Sequence, residues 1–333
     1  MKLTAGLAPG IDAGKNAKAL EDLGYDALTV AETGHDPFLP LALAAEHTDK
    51  IELTTGIAVA FSRNPMILAN IGHDLNSYSK GRFTLGLGTQ IKAHITKRFS
   101  MPWSHPAPRM KEMIQAMHAI WDTWHEGKPL DFRGEFYQHT LMTHYFTPTD
   151  IQYGRPKIAL AAVGPLMTKV AAEVADAMLC HAFTTARYLH EVTVPMIEST
   201  LEQNHRKRSD FEIVATMFTA TGDTEEEIMK ARNKLRTQVS FYGSTPAYKG
   251  VFELHGWYDL QPKLNRLSKE GKWEEMAESL PEDVVDAFVI SGTPEQVVDK
   301  LKETFAGKID RSSLGFDVKD PDRLKALIAR ARA

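Results

Sequence analysis

The chain has a single cysteine in 333 residues, Cys180. An internal disulfide is excluded, and a reducing, cytoplasmic setting is the expectation. No apolar run approaches the roughly 18 residues that a spanning helix needs. The first residues read as a strand, KLTAGLA, without the charged and then apolar pattern of a leader. There is no basic excess either: 39 Lys and Arg stand against 43 Asp and Glu, for a net charge of −4. That weighs against nucleic acid or an anionic membrane as partner. Low-complexity segments and linkers are missing, so one domain over residues 1–333 is expected. No Gly-x-Gly-x-x-Gly follows the first strand, which counts against an open, doubly wound dinucleotide fold. His35, Asp36 and His181 fall at predicted strand ends. Without a His-x-His on the first strand or any His-Glu-x-x-His, their spacing does not make a metal centre.

What is present is regular. The composition, 43% hydrophobic and 25% charged, is that of an ordinary globular protein. Apolar runs over Leu3–Ala8, Tyr25–Glu32, Ile51–Phe61 and Arg82–Gly88 alternate with helical periods. Gly24 and Gly81 act as stops and Asn64-Pro65 as a helix start. After a long helix near Ala107–Glu126 and a hairpin-like stretch over Phe132–Pro148, the alternation resumes. Its strands are predicted at Lys157–Ala162, Ala177–Phe183, Phe211–Thr219 and Ala287–Ile290, the last completing eight strand–helix units. Near-continuous apolar strands separated by helices predict a parallel sheet buried on both faces. Eight units predict a (β/α)8 TIM barrel, with insertions at about 89–106, 128–156 and 242–281.

A barrel of this kind carries its site where the strands end. Strand two ends in Glu32-Thr33-Gly34-His35-Asp36. Glu32, late on a buried strand, is structural, paired to a base, or a site acid. In the third strand Gly56 interrupts strict alternation, which marks a packing glycine or a close approach to the backbone. Strands four and five end in Gly88-Thr89-Gln90 and Ala162-Val163-Gly164-Pro165. The second of these leads into a helix, so it is either a tight turn or a phosphate seat.

Taken together, TVAETGHDP, ELTTGIAV followed by RNP, SKGRFTLGLGTQ, and ALAAVGP before KVAAEVADA resemble the bacterial luciferase-like flavin monooxygenase superfamily. The chain is most similar to its coenzyme F420-dependent branch. The resemblance implies a luciferase-like TIM barrel that holds F420, or alternatively FMN, at the mouth. It implies a bulge with a cis peptide at Gly56-Ile57 under the ring, just after Thr55. Gly88, Thr89 and Gln90 border the ring, and Ala162, Val163, Gly164 and Pro165 seat the phosphate. Many members carry a histidine directly after the strand-two acid. Here that position is Thr33, so Glu32 and His35 are the candidate catalytic residues. Lys92, Lys97 and Arg98 either face the acidic tail of F420 or form a solvated charged stretch. Phe61, Trp103, His105 and Tyr242–Trp257 are expected to line an apolar pocket. The implied activity is hydride transfer between deazaflavin and a small organic substrate. An FMN-dependent monooxygenase and a non-catalytic flavin-binding homologue are the alternatives, and a homodimer is the expected assembly.

Overall fold

A computed structural model describes residues 1–315 and 318–333. Eight parallel strands close into a barrel: β1 (Lys2–Gly6), β2 (Ala27–Val30), β3 (Glu52–Thr55, continued as Ala58–Val59), β4 (Phe83–Gly88), β5 (Lys157–Ala162), β6 (Ala177–Cys180), β7 (Glu212–Val214) and β8 (Arg311–Ser313). Each pairs with its neighbour in this order. β8 closes the ring between β7 and β1, with Arg311 opposite both Lys2 and Val214. Leu28, Leu53, Leu85, Ile158 and Leu160 are completely buried, as strands covered on both faces require.

Three expectations change. The eighth barrel strand is Arg311–Ser313, not Ala287–Ile290. The apolar Val289–Gly292 instead pairs with Phe218–Thr221 in a separate two-stranded parallel ribbon, so Ser291-Gly292 is not a barrel strand end. The seventh strand is correspondingly split, with Glu212–Val214 in the barrel and Phe218–Thr221 in the ribbon. The third strand is broken at Gly56-Ile57, where a bulge was expected. The 242–281 region is more helical than its sequence suggests, with helices Lys249–Leu254, Leu260–Lys269 and Trp273–Glu278. These pack on Phe183, Phe218, Val239 and Phe288 as a second apolar cluster beside the barrel core. The 128–156 insertion does hold a hairpin, Phe132–Arg133 against Gln138–His139. Among the described residues, no helix is long and apolar enough to cross a membrane.

The ends of the strands opposite the mouth are tied by charge. Arg311 is only 4% exposed. It pairs with Glu212 at 2.9 Å and with Glu52, which Lys2 also reaches at 3.2 Å. β8 and β3 are not neighbours, so Arg311 spans the barrel floor. The loop into β3 has its own anchor: one oxygen of Glu21 accepts the backbone N–H groups of Asp49, Lys50 and Ile51 at 2.7–3.0 Å. Burial pushes the Glu21 carboxyl up. These three N–H groups and Lys18 outweigh it and hold the group at about 2.

Replacing Arg311 with Met strands Glu212 and leaves Glu52 with Lys2 alone; the two carboxylates are 30–40% exposed. Partial screening reduces the full buried-pair penalty to about 2 kcal/mol, which urea denaturation will measure. For Glu21, the folded value lies below the unfolded one, so its contribution is complete above about pH 4.5 and lost as pH falls toward 2. Wild-type stability is therefore expected to drop more steeply across that window than that of Glu21→Gln.

Candidate active site

The mouth is built from strand ends whose backbone groups need unusual partners. At Gly56-Ile57 the third strand leaves the ladder, and the peptide between the two residues is cis. From Thr55 to Phe61 only these two are partly exposed; their neighbours are buried. Gly56 is also constrained from behind, since a Cβ there would meet the Thr29 hydroxyl at 2.2 Å. Packing and access therefore both require glycine at this point.

The broken ladder is repaired by side chains. Thr55 Oγ1 donates to the Gly86 carbonyl at 2.6 Å and accepts the Gly86 N–H at 2.9 Å. A Cβ on Gly86 would fall 1.7 Å from the Thr55 carbonyl oxygen, so β3 and β4 touch through bare backbone. The Thr55 hydroxyl is thus engaged inside the protein. Ile57 lies on Gly88, where a Cβ would come within 2.9 Å of its side chain.

Glu32 holds the far side of the break. Its backbone N–H donates to the Ile57 carbonyl at 3.1 Å, and its carboxylate accepts the Val59 N–H at 2.7 Å. The same carboxylate takes a two-pronged pair from Arg63 at 2.6 and 3.1 Å, and Arg63 also donates to the Val59 carbonyl at 3.1 Å. Both side chains are well buried, at 7% and 15% exposure. The guanidinium lies 5.2 Å from the Phe38 ring and 3.4 Å from Asp36. Of the roles expected for Glu32, pairing to a base is present. Its partner Arg63 had a signal in the sequence: it is the first basic side chain after the neighbouring strand.

His35 is exposed, and among the described residues its ring makes no hydrogen bond. Asp36 caps the next helix by accepting the Phe38 N–H at 2.8 Å. Arg98 donates to the Thr33 carbonyl, which ties the strand-four loop to the strand-two loop; Lys92 and Lys97 are exposed. Thr89 and Gln90 are half-buried, and Gln90 takes a left-handed backbone, φ 60°. The helix Pro165–Val174 starts at Gly164 without a side-chain cap. The position a Gly164 Cβ would take is open, with nothing within 4 Å. Uncapped N–H groups beside open space can receive an anion.

Phe61 is buried under the Arg109 guanidinium at 4.6 Å and meets Trp103 edge-on at 5.6 Å. His105 lies against Phe136. On the other side, His181 follows the last residue of β6 and sits between Tyr242 and Tyr248. Among the described residues there is no group of three or more His, Cys, Asp or Glu arranged to hold a metal ion.

Replacing Glu32 with Ala leaves a buried guanidinium and the Val59 N–H without their main partner, an expected loss of about 3 kcal/mol. Glu32→Gln keeps the acceptor for Val59 and should recover part of that loss, as chemical denaturation will show.

A model of the luciferase-like monooxygenase family matches residues 7–311. An uncharacterized protein of Mycobacterium tuberculosis is 51% identical over 295 residues, 89% of this chain and 87% of its own length. The 5,10-methylenetetrahydromethanopterin reductase of Archaeoglobus fulgidus is 28% identical over 319 residues, 93% of this chain and 90% of its own. Among solved structures, the coenzyme F420-dependent tetrahydromethanopterin reductase from Methanopyrus kandleri superposes with a TM-score of 0.77. That match has 23% identity and covers 98% of this chain and 96% of the other.

Proposed function

The chain belongs to the luciferase-like monooxygenase family, and on that premise we propose that it is an F420-dependent oxidoreductase acting on a small organic substrate. The observation that carries this reading is the break in β3, where Gly56 and Ile57 are partly exposed between buried neighbours. The likeness to the two methanopterin reductases adds support for F420 over FMN.

The fit rests on the residues present. Gly56 and Ile57 would lie under the ring, with Thr55 fixing the strand behind them. Gly88, Thr89 and Gln90 would border it. Ala162, Val163, Gly164 and Pro165 would receive a phosphate at the uncapped helix start. When bound, the deazaflavin supplies two-electron hydride chemistry, and the protein supplies orientation and electrostatics. Glu32 has both oxygens engaged, so its part is to hold the Ile57–Val59 segment. His35 is the exposed imidazole of the strand-two loop, able to pass a proton between solvent and the mouth. Exposed Lys92 and Lys97 suit the acidic tail of F420.

Reconstitution tests the reading. The protein is expected to bind F420 in the micromolar range or tighter, seen as quenching of deazaflavin fluorescence, and to bind FMN at least tenfold more weakly. The reverse preference, with oxygen consumed in the presence of reduced FMN, would establish the monooxygenase instead. F420 binding without turnover over a broad panel of alcohols and carbonyl compounds would establish the non-catalytic homologue.

A further inference from the structure

We propose that His181, walled by Tyr242 and Tyr248, binds an oxygen of the substrate by donating a hydrogen bond from Nε2. The substrate class is an uncharged carbonyl compound or alcohol on an apolar frame. This assignment rests on the oxidoreductase reading for its catalytic meaning, and on the geometry for the binding.

His181 directly follows Cys180, the last residue of β6, and therefore stands at a mouth-side strand end. The Phe183 backbone N–H donates to its Nδ1 at 3.0 Å. A backbone N–H is only a donor, so Nδ1 is the acceptor and the neutral ring carries its proton on Nε2. Among the described residues, nothing accepts from Nε2. Single ring nitrogens of His73, His125, His139 and His190 are sealed without a partner. His181 Nε2 is not among such sealed atoms, and its ring is only partly buried. This donor is fixed from behind and open in front.

The surroundings suit a neutral oxygen. Tyr242 meets the imidazole edge-on at 4.7 Å and Tyr248 lies at 5.0 Å; the two tyrosine rings are 6.3 Å apart. Neither hydroxyl has a partner among the described residues, and neither is sealed. Tyr248 rests in turn on the fully buried Phe183, 5.1 Å away, so the wall is anchored in the second apolar cluster. Burial holds the imidazole at about 4 and pushes the Tyr248 phenol up to about 12. Near neutral pH the imidazole and the Tyr248 phenol are therefore uncharged. A neutral imidazole donates a hydrogen bond and keeps its proton, which polarises a carbonyl without an acid step. Apolar ring walls strengthen such a bond and disfavour a charged ligand.

The test uses the full chain labelled with ¹⁵N-histidine, with cyclohexanone and cyclohexanol as probes. His181 is expected to carry its proton on Nε2 from pH 8 to pH 5, and its Nε2 resonance to move as either probe is added. His181→Phe, which keeps an aromatic ring without the N–H, should weaken cyclohexanone binding at least tenfold. His181→Gln, which keeps a donor, should recover most of that loss. F420 affinity should change less than twofold in both. A proton on Nδ1, an unmoved His181 resonance with both probes, or unchanged cyclohexanone affinity in His181→Phe would each overturn the assignment. The wild-type spectra decide the question even if a variant fails to fold. Failure of the wild type to bind F420 overturns the cofactor reading and leaves the His181 result to stand on its own.

Discussion

A charge removed from water must be paired, and at the mouth of this barrel that requirement organises the backbone. Glu32 sits behind the break in β3 with its carboxylate out of solvent. Arg63 satisfies it with two parallel bonds, and the pair together grips both the N–H and the carbonyl of Val59. The Glu32 N–H takes the carbonyl of Ile57 as well. A segment that has left the β ladder thus recovers its hydrogen bonds from one acid and one base. Thr55 does the same on the other side by closing on Gly86. The mouth can expose Gly56 and Ile57 because the groups around them are fully engaged.

That economy explains which parts of the molecule were legible in the sequence. Strands β1 to β6 announce themselves because burial on both faces demands near-continuous apolar runs. The eighth strand does not, for a physical reason. Arg311 is buried through ion pairs to Glu52 and Glu212, half-buried Ser313 donates its hydroxyl to Thr216, and buried Ser312 between them adds no apolar side chain. Val289 and Ile290 carry the apolar signal of a barrel strand, yet they pair with Phe218–Thr221. Hydrophobic pattern reports burial; it does not report which sheet does the burying. The candidate site divides along the same line. Gly56, Gly88 and Gly164 were readable as places of close approach, whereas the engagement of Thr55 and Glu32 depends on residues about 30 positions away.

The second apolar cluster has a functional consequence. Phe183, Tyr188, Phe252 and Phe288 make a small core of their own, built from the segment after β6, the 242–281 insertion and the helix Glu282–Phe288 that follows it. Residues from this cluster, not from the barrel, fix the tyrosine wall beside His181. One side of the mouth can then vary in sequence and shape while the barrel strands keep their packing. Loops on a rigid scaffold are where binding differences between relatives accumulate.

The replacement of the usual strand-two histidine by Thr33 fits this division. Arg98 donates to the Thr33 backbone carbonyl and ties two mouth loops together, a contact that does not depend on the side chain at position 33. Two histidines remain near the strand ends in opposite physical states. His35 is exposed on the strand-two loop. His181 is held neutral by burial, with its tautomer fixed by a backbone donor. A reaction that adds hydride to one atom and a proton to its neighbour needs an oxygen held in place and a proton supplied. On the proposed function, those two tasks fall to His181 and His35, on different loops.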